Sequence, residues 1–523
     1  MEGRFVRVEL SIGDFLRRAA LVYPTRVAVV DETLVPFSLG TLSYASLAAR
    51  ASTLASRLEA LGVPLGGRVA IVSPNSARFL IAFFGVSAYG RVLVPINFRL
   101  NAEEISYIIA HSGAEVVLYD PELREVMAGV DHATTICLDG VGDQGWFDET
   151  SDLPAPTAWA GREDDTCSIN YTSGTTARPK GVQLTHRNCW LNATTFGWHL
   201  GVSDRDVLLH TLPMFHCNGW GMPYASTAMG ARHIVIRKID GEEILTRVEE
   251  HAVTLLCCAP AVIASVLEAG RLRREAGRSL PGRDRVRVVV AGAPPPSKII
   301  ERVEDELGWE FVQIYGLTET SPLLTINRAP SEWDELGAAE RSLLLSRAGV
   351  PAVGVEIAID QDGEVLARAN HVFAGYWEQP HETASALAGG WFHTGDGGYL
   401  DGAQLTITDR KKDVIITGGE NVSSIEVEDC LFQHPAVAEV AVIGIPSEKW
   451  GEAVTALVVL RDGHEVSAAD LIEHCRASLA HFKAPQTIEF RQELARTATG
   501  KLQKFKLREP FWAAATETSR DRA

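Results

Sequence analysis

No two cysteines in this chain are spaced C-x-x-C; the eight are scattered, with Cys257 and Cys258 adjacent. That removes the usual signatures of a structural zinc site and of a thioredoxin-type redox motif. No run of about 18 uncharged apolar residues occurs, as a membrane-spanning helix would need. Even the greasy segment from Ile81 is broken by Arg91. The opening MEGRFVRVELSIGDFLRRAA has neither the apolar core nor the cleavage signature of a secretory leader. Positive charge is also in deficit: 49 Lys and Arg stand against 67 Asp and Glu, a formal charge of −18. Non-specific nucleic-acid binding feeds on cationic surface and is therefore not expected. A local basic site for an anionic ligand remains allowed. The cysteine pattern and the absence of a leader suggest a soluble, reducing, cytoplasmic setting.

What is present is a long chain with ordinary apolar content. Its 523 residues, 46% apolar, exceed what one core holds and suggest more than one domain. Apolar spacing predicts helices over 11–23, 44–61, 79–89 and 102–112, with Ser11 capping the first and Gly62 ending the second. Strands are expected at 27–30, 69–72, 92–95 and 116–119. Strands alternating with helices of about ten residues predict parallel α/β layers. The same rhythm returns from Val207 to about Ile314, after a helix over 185–194, as in an internal duplication without a repeated sequence. From Gly349 to Asp409 short strands and turns predict a small β-structure. After Arg410-Lys411-Lys412-Asp413 a compact α+β unit follows. Ser423 to Glu426 reads there as a capping box, strands fall at 437–445, 453–459 and 488–490, and a helix at 467–480. The boundary is drawn at Lys412, giving units 1–411 and 412–523, with a tail expected to be disordered from about 516.

The chemistry begins at Tyr171-Thr172-Ser173-Gly174-Thr175-Thr176-Ala177-Arg178-Pro179-Lys180-Gly181. Glycines let backbone N–H groups approach a ligand, and successive N–H groups form an anion nest. Hydroxyls and the Lys180 charge complete a loop suited to polyphosphate, although a polar surface turn has similar composition. It is not a Walker A loop, because Pro179 precedes Lys180 and Gly181 follows it. Gln313-Ile314-Tyr315-Gly316-Leu317-Thr318-Glu319-Thr320 offers a flat ring, a hydroxyl and a metal-ligating carboxylate, or is an ordinary strand exit. Asp396 in Trp391-Phe392-His393-Thr394-Gly395-Asp396 could accept both hydroxyls of a ribose, or serve a turn. Gly292-Ala293-Pro294 follows a buried strand and is a candidate pocket wall. His216 in Pro213-Met214-Phe215-His216-Cys217-Asn218-Gly219-Trp220 would by itself be read as a core or loop histidine. Lys501 in Thr497-Ala498-Thr499-Gly500-Lys501 would by itself be read as solvated.

Six stretches, YTSGTTARPKG, PMFHCNGW, IYGLTET, WFHTGDGGYL, DRKKDVIITGGENVSSIEVE and RTATGKLQK, run in order from 171 to 504. Together they resemble the adenylate-forming superfamily, which includes acyl-CoA synthetases, peptide-synthetase adenylation domains and luciferases. The resemblance covers nearly the whole chain. It implies a large N-terminal domain of two α/β subdomains and a small β-barrel, then a mobile C-terminal domain. It also implies two half-reactions: a carboxylic acid and Mg-ATP give acyl-AMP and pyrophosphate, and a thiol then takes the acyl group and releases AMP.

By carry-over, Thr172, Ser173, Gly174, Thr175, Thr176 and Lys180 hold the β- and γ-phosphates, with Thr175 and Glu319 at Mg²⁺. Gly292, Ala293, Pro294, Gln313, Tyr315 and Gly316 line the adenine side, Gly316 also bordering the acid. Thr318 meets the α-phosphate, and Asp396 and Arg410 the ribose. Lys501 bridges carboxylate and α-phosphate. Lys412 is the hinge that brings Gly418, Gly419 and Glu420 to the site for coenzyme A. His216 sits beside the reacting carboxylate and Trp220 beside the acyl pocket. One departure is Ala177, where the family's loop carries glycine; alanine does not readily adopt positive φ. Another is segment 361–377, which looks short in its hairpins.

MFHCNGW most resembles the branch with medium- and long-chain fatty acyl-CoA synthetases and methylthiopropionate-CoA ligases, so a fatty or other apolar acid is the expected substrate. Aryl-CoA ligases and enzymes that load a carrier protein are the rivals. A homodimer is kept open. A catalytically dead nucleotide-binding protein is the non-enzymatic alternative, opposed by the presence of Thr175, Glu319, Asp396, Arg410 and Lys501.

Overall fold

The chain adopts two large α/β sheets that share one core, as seen in a computed structural model that describes residues 8–33, 35–132, 134–150, 152–172, 178–410, 413–417, 420–447, 449–496 and 502–520, with backbone alone from 513. Among these residues the first sheet has seven strands. Its parallel part runs Thr135–Cys137, Ala114–Tyr119, Arg68–Val72, Val92–Ile96 and Thr166–Thr172, with Lys180–Thr185 and Gly375–Tyr376 added antiparallel. The second has nine. Six parallel strands, Val27–Val30, Arg232–Val235, Val207–His210, Leu255–Cys258, Arg287–Val290 and Glu310–Gly316, form its centre.

Parallel neighbours need crossovers, which is why helices alternate with strands. Helix Ala102–Ser112 matches its expected bounds, because Asn101 and Glu104 form a reciprocal capping box and Gly113 ends it in the left-handed region. Helix Tyr44–Ala60 buries Leu47, Leu54 and Leu58 and is followed by Gly62 at φ 80°. Helix Gly13–Val22 starts where the Ser11 hydroxyl accepts the Gly13 N–H. Every residue of helix Ala77–Ser87 is buried. It lies in the core between the sheets, with Phe79, Phe83 and Phe84 against residues of both. Separate apolar clusters back the outer face of each sheet. All eight cysteines are free thiols. Among the described residues no helix is long and apolar enough to cross a membrane.

The helix expected over 185–194 runs His186–Leu200, because Thr185 and Asn188 cap it and no stop signal comes before Gly201. Helix Ala338–Leu345 was not anticipated. Strands Val355–Ile359, Glu364–Ala369, Phe392–Asp401 and Gln404–Arg410 make the small antiparallel unit. Beyond residue 412 a further sheet centres on Val437–Ser447 and Gly451–Leu460, packed on helices Ser424–Phe432 and Ala468–Ser478. Ser423 caps the first of these by accepting the Glu426 N–H. The expected disordered tail instead has helical backbone to Arg520. The three alanines at 513–515, just before the expected tail, favour continuing the helix into it.

Candidate active site

Among the described residues, the segments around Lys180, His216, Tyr315, Asp396 and Arg410 come together. Strand Thr166–Thr172 pairs back with Lys180–Thr185, and Thr172 lies opposite Lys180. Between these strands lie Ser173, Gly174, Thr175, Thr176 and Ala177 of the motif expected to hold polyphosphate; they lie outside the described residues, as do Lys412, Gly418, Gly419 and Lys501.

Strand Glu310–Gly316 delivers the second motif. The Tyr315 hydroxyl donates to Asp396 Oδ2 at 2.8 Å, and Arg410 Nε stands 3.5 Å from Asp396 Oδ1. Asp396 and Arg410 face each other across paired strands, so register alone brings them together. Burial, and then the Asp396 charge, push the Tyr315 hydroxyl well above its ordinary range, so it remains a donor. At Gly316 any side chain is excluded, since a Cβ would lie 1.6 Å from the Pro322 carbonyl oxygen. Gln313 is buried, and with its amide turned to donate it reaches Leu345 O at 2.7 Å and Arg347 O at 3.3 Å. It braces the strand on helix Ala338–Leu345. Gly292 and Pro294 are exposed and Ala293 half-buried, an open turn at the end of the neighbouring strand.

Glu319 follows in the turn Thr318–Thr320. Its Oε1 accepts the Tyr376 hydroxyl at 2.9 Å, and its carbonyl accepts the Phe373 N–H at 2.7 Å. Burial pushes its carboxyl group upward, and the Tyr376 hydroxyl pulls the other way. The Lys180 ammonium lies 4.8 Å from the centre of the Tyr376 ring. Tyr376 thus joins the phosphate stem to Glu319, a link not read from the sequence. Its only local signal was the Gly375-Tyr376-Trp377 triplet. Among the described residues no three His, Cys, Asp or Glu side chains cluster for a metal. The single carboxylate of Glu319 instead fits Mg²⁺, which binds through one or two carboxylates plus substrate phosphates.

The His216 segment forms the third wall. Asn75 grips its start: Nδ2 donates to the carbonyls of His210 and Leu212, and Oδ1 accepts the Met214 N–H at 2.7 Å. His216 is half-buried. From Cys217 to Gly221 all five residues have positive φ. The Cys217 thiol approaches the Thr318 carbonyl at 3.9 Å, bringing this loop against the Glu319 turn. Trp220 is 4% exposed, in the shared core with Phe196, Phe215 and Tyr224. Glu420, in strand Glu420–Val422, is exposed. Sequence reasoning also missed Asn75, Asn170 and Asn192, because a buried asparagine has no period to mark it, and gave Asn218 no role although its motif was singled out.

Residues 16–377 match the model of the AMP-binding enzyme family, and residues 426–501 match that of the AMP-binding enzyme C-terminal domain. The 2-methylpropanoate–CoA ligase of Humulus lupulus is 36% identical over 95% of this chain and 94% of its own length. The 4-hydroxybutyrate–CoA ligase 2 of Metallosphaera sedula is also 36% identical, over 96% and 95%. Among solved structures, o-succinylbenzoate CoA synthetase of Bacillus subtilis with its acyl-adenylate intermediate superposes with a TM-score of 0.81. It is 28% identical and covers 96% of this chain and 98% of that one. The chain thus belongs to the AMP-binding enzyme family, as an AMP-forming acid–CoA ligase of the adenylate-forming superfamily's acyl-CoA synthetase branch.

Proposed function

We propose that this ligase activates a short, apolar carboxylic acid with ATP and passes the acyl group to coenzyme A. A carboxylate oxygen attacks the α-phosphorus of ATP, and the α–β phosphoanhydride bond breaks to release pyrophosphate. The thiol sulfur of coenzyme A then attacks the acyl carbon, and AMP leaves. The stem from Thr172 to Lys180, with Ser173, Gly174, Thr175 and Thr176, holds the β- and γ-phosphates. Thr175 and Glu319 hold Mg²⁺, which when bound offsets charge on the departing pyrophosphate. Thr318 contacts the α-phosphate, Asp396 and Arg410 hold the ribose, and Lys501 neutralises the two anions that must meet. The open turn Gly292–Pro294 receives the adenine. The setting in this reading is cytoplasmic.

The observation behind the short acid is Trp220. An indole packed into the core on a left-handed backbone is poorly placed to swing aside for a long chain. This reading makes Trp220 a wall and favours the short end of the expected range of apolar acids. The small acids named for the two ligase relatives agree with it. The test measures coenzyme A-dependent AMP release for acetate, butyrate, 2-methylpropanoate, hexanoate, octanoate, dodecanoate, benzoate and cinnamate. Each buried methylene adds about 0.8 kcal/mol until the pocket ends, so kcat/KM should climb through butyrate and drop before octanoate. A peak at dodecanoate or cinnamate overturns the substrate, and ADP in place of AMP overturns the chemistry.

A further inference from the structure

The loop after His216 has the least ordinary backbone near the site. Cys217, Asn218, Gly219, Trp220 and Gly221 have φ of 45°, 50°, 58°, 60° and 76°. Glycine and asparagine accept that region; cysteine and tryptophan resist it. Contacts with the rest of the fold must therefore hold it, and two buried asparagines make them, Asn192 from outside the loop and Asn218 from within it.

Asn192, from helix His186–Leu200, is 0% exposed. Its Nδ2 donates to the Trp220 carbonyl at 3.1 Å, and its Oδ1 accepts the Leu323 N–H at 3.1 Å. Leu323 opens the strand that follows the Glu319 turn. Asn218 is 2% exposed. Its Nδ2 donates to Ser168 Oγ at 2.8 Å and lies 3.8 Å from Cys189 Sγ, while its Oδ1 accepts from Asn170 Nδ2 at 3.1 Å. Ser168 Oγ in turn donates to Asn170 Oδ1 at 3.0 Å, closing a ring of three side chains. Ser168 and Asn170 belong to the strand that runs into the phosphate loop. The fit is tight on the Asn192 side, since a Cβ on Gly221 would meet Asn192 Nδ2 at 2.5 Å.

The geometry points to Asn192 and Asn218 as positioning residues that set acid specificity by clamping the left-handed loop, so that Trp220 stays a fixed wall. Each clamp is anchored at its far end on a nucleotide-side element: the phosphate-loop strand or the segment after Glu319. Pocket depth is thereby tied to where the phosphates and metal sit. This rests on reading Trp220 as a wall.

The test compares wild type, Trp220→Ala, Asn192→Ser, Asn192→Asp and Asn218→Gly. Asn218→Gly removes the amide and leaves a residue that adopts positive φ freely. Values of kcat/KM are taken for acetate, butyrate, hexanoate and octanoate, and ATP affinity is measured by calorimetry without acid. In the clamp variants the cut-off should move outward by one acid of the series. Discrimination against that longer acid should fall about tenfold, the worth of roughly two methylenes, with ATP affinity unchanged. Three outcomes overturn the clamp: wild-type profiles in all three clamp variants, an equal loss for every acid together with weakened ATP binding, or no folded protein from any of them. If Trp220→Ala shifts the profile and the clamp variants do not, the clamp alone falls. If Trp220→Ala keeps the wild-type profile, the wall reading falls.

Discussion

At Tyr376 one side chain meets two groups of opposite charge. Its hydroxyl donates to Glu319 at 2.9 Å, and its ring face lies 4.8 Å from the Lys180 ammonium. A phenol can do both at once because its donor is at the tip and its negative quadrupole is on the face. Tyr376→Phe separates the two contacts, keeping the ring under Lys180 and losing the hydrogen bond. Hydrogen bonds to charged groups are worth about 1.5–3 kcal/mol. Carboxylate-dependent exchange of labelled pyrophosphate into ATP should therefore slow by about 10- to 100-fold. A wild-type exchange rate would show that Glu319 needs no help from Tyr376. Single residues are also where sequence reading reached unevenly. Asp396, Arg410 and Glu319 were legible because the motifs carry them. Tyr376 and the asparagines were not, because their significance comes from partners more than 50 residues away in several cases, such as Asn75 with Met214.

At the scale of elements, strands Val207–His210 and Arg232–Val235 run in parallel and carry a buried histidine pair. His210 Nε2 and His233 Nδ1 are 2.9 Å apart, with the rings stacked, and His233 Nε2 meets the Thr227 hydroxyl at 3.2 Å. Burial lowers His233 to about 3 from 6.5, and lowers His210 in the same direction with His233 adding to the effect. The folded protein therefore keeps the pair neutral where the unfolded chain would take up protons. Stability should fall as pH drops from about 6.5 towards about 3, at up to about 1.4 kcal/mol per pH unit for each neutral histidine. In His233→Gln the decline should be shallower, measured as the urea midpoint between pH 7 and pH 4. Parallel slopes for the two proteins would deny the linkage. Helices such as Ala102–Ser112 were legible to the residue because caps and period are local signals. Strand order and the five positive-φ residues after His216 are settled by distant packing, so local pattern could not supply them.

For the whole molecule, the junction near residue 412 is flanked by polar contacts. Asp409 accepts the Ser424 N–H at 2.9 Å, Arg508 pairs with Asp413 at 3.1 Å, and Lys504 pairs with Glu428 at 2.8 Å. If Lys412 is the hinge, Lys412→Pro fixes φ near −65° and removes the freedom to rotate. Adenylate formation should persist and thioester formation should collapse, read separately in single-turnover assays. Equal loss of both steps would mean the chain does not pivot there.

One contact crosses between the two units at a telling place. Asp429, on helix Ser424–Phe432, accepts the Ser297 N–H at 3.1 Å, just beyond the turn Gly292–Pro294. The helix that follows that turn thus borrows a hydrogen-bond partner from the other unit. If a nucleotide at the turn alters this contact, the coupling is reciprocal: whatever factor it applies to docking, docking returns to the nucleotide's affinity.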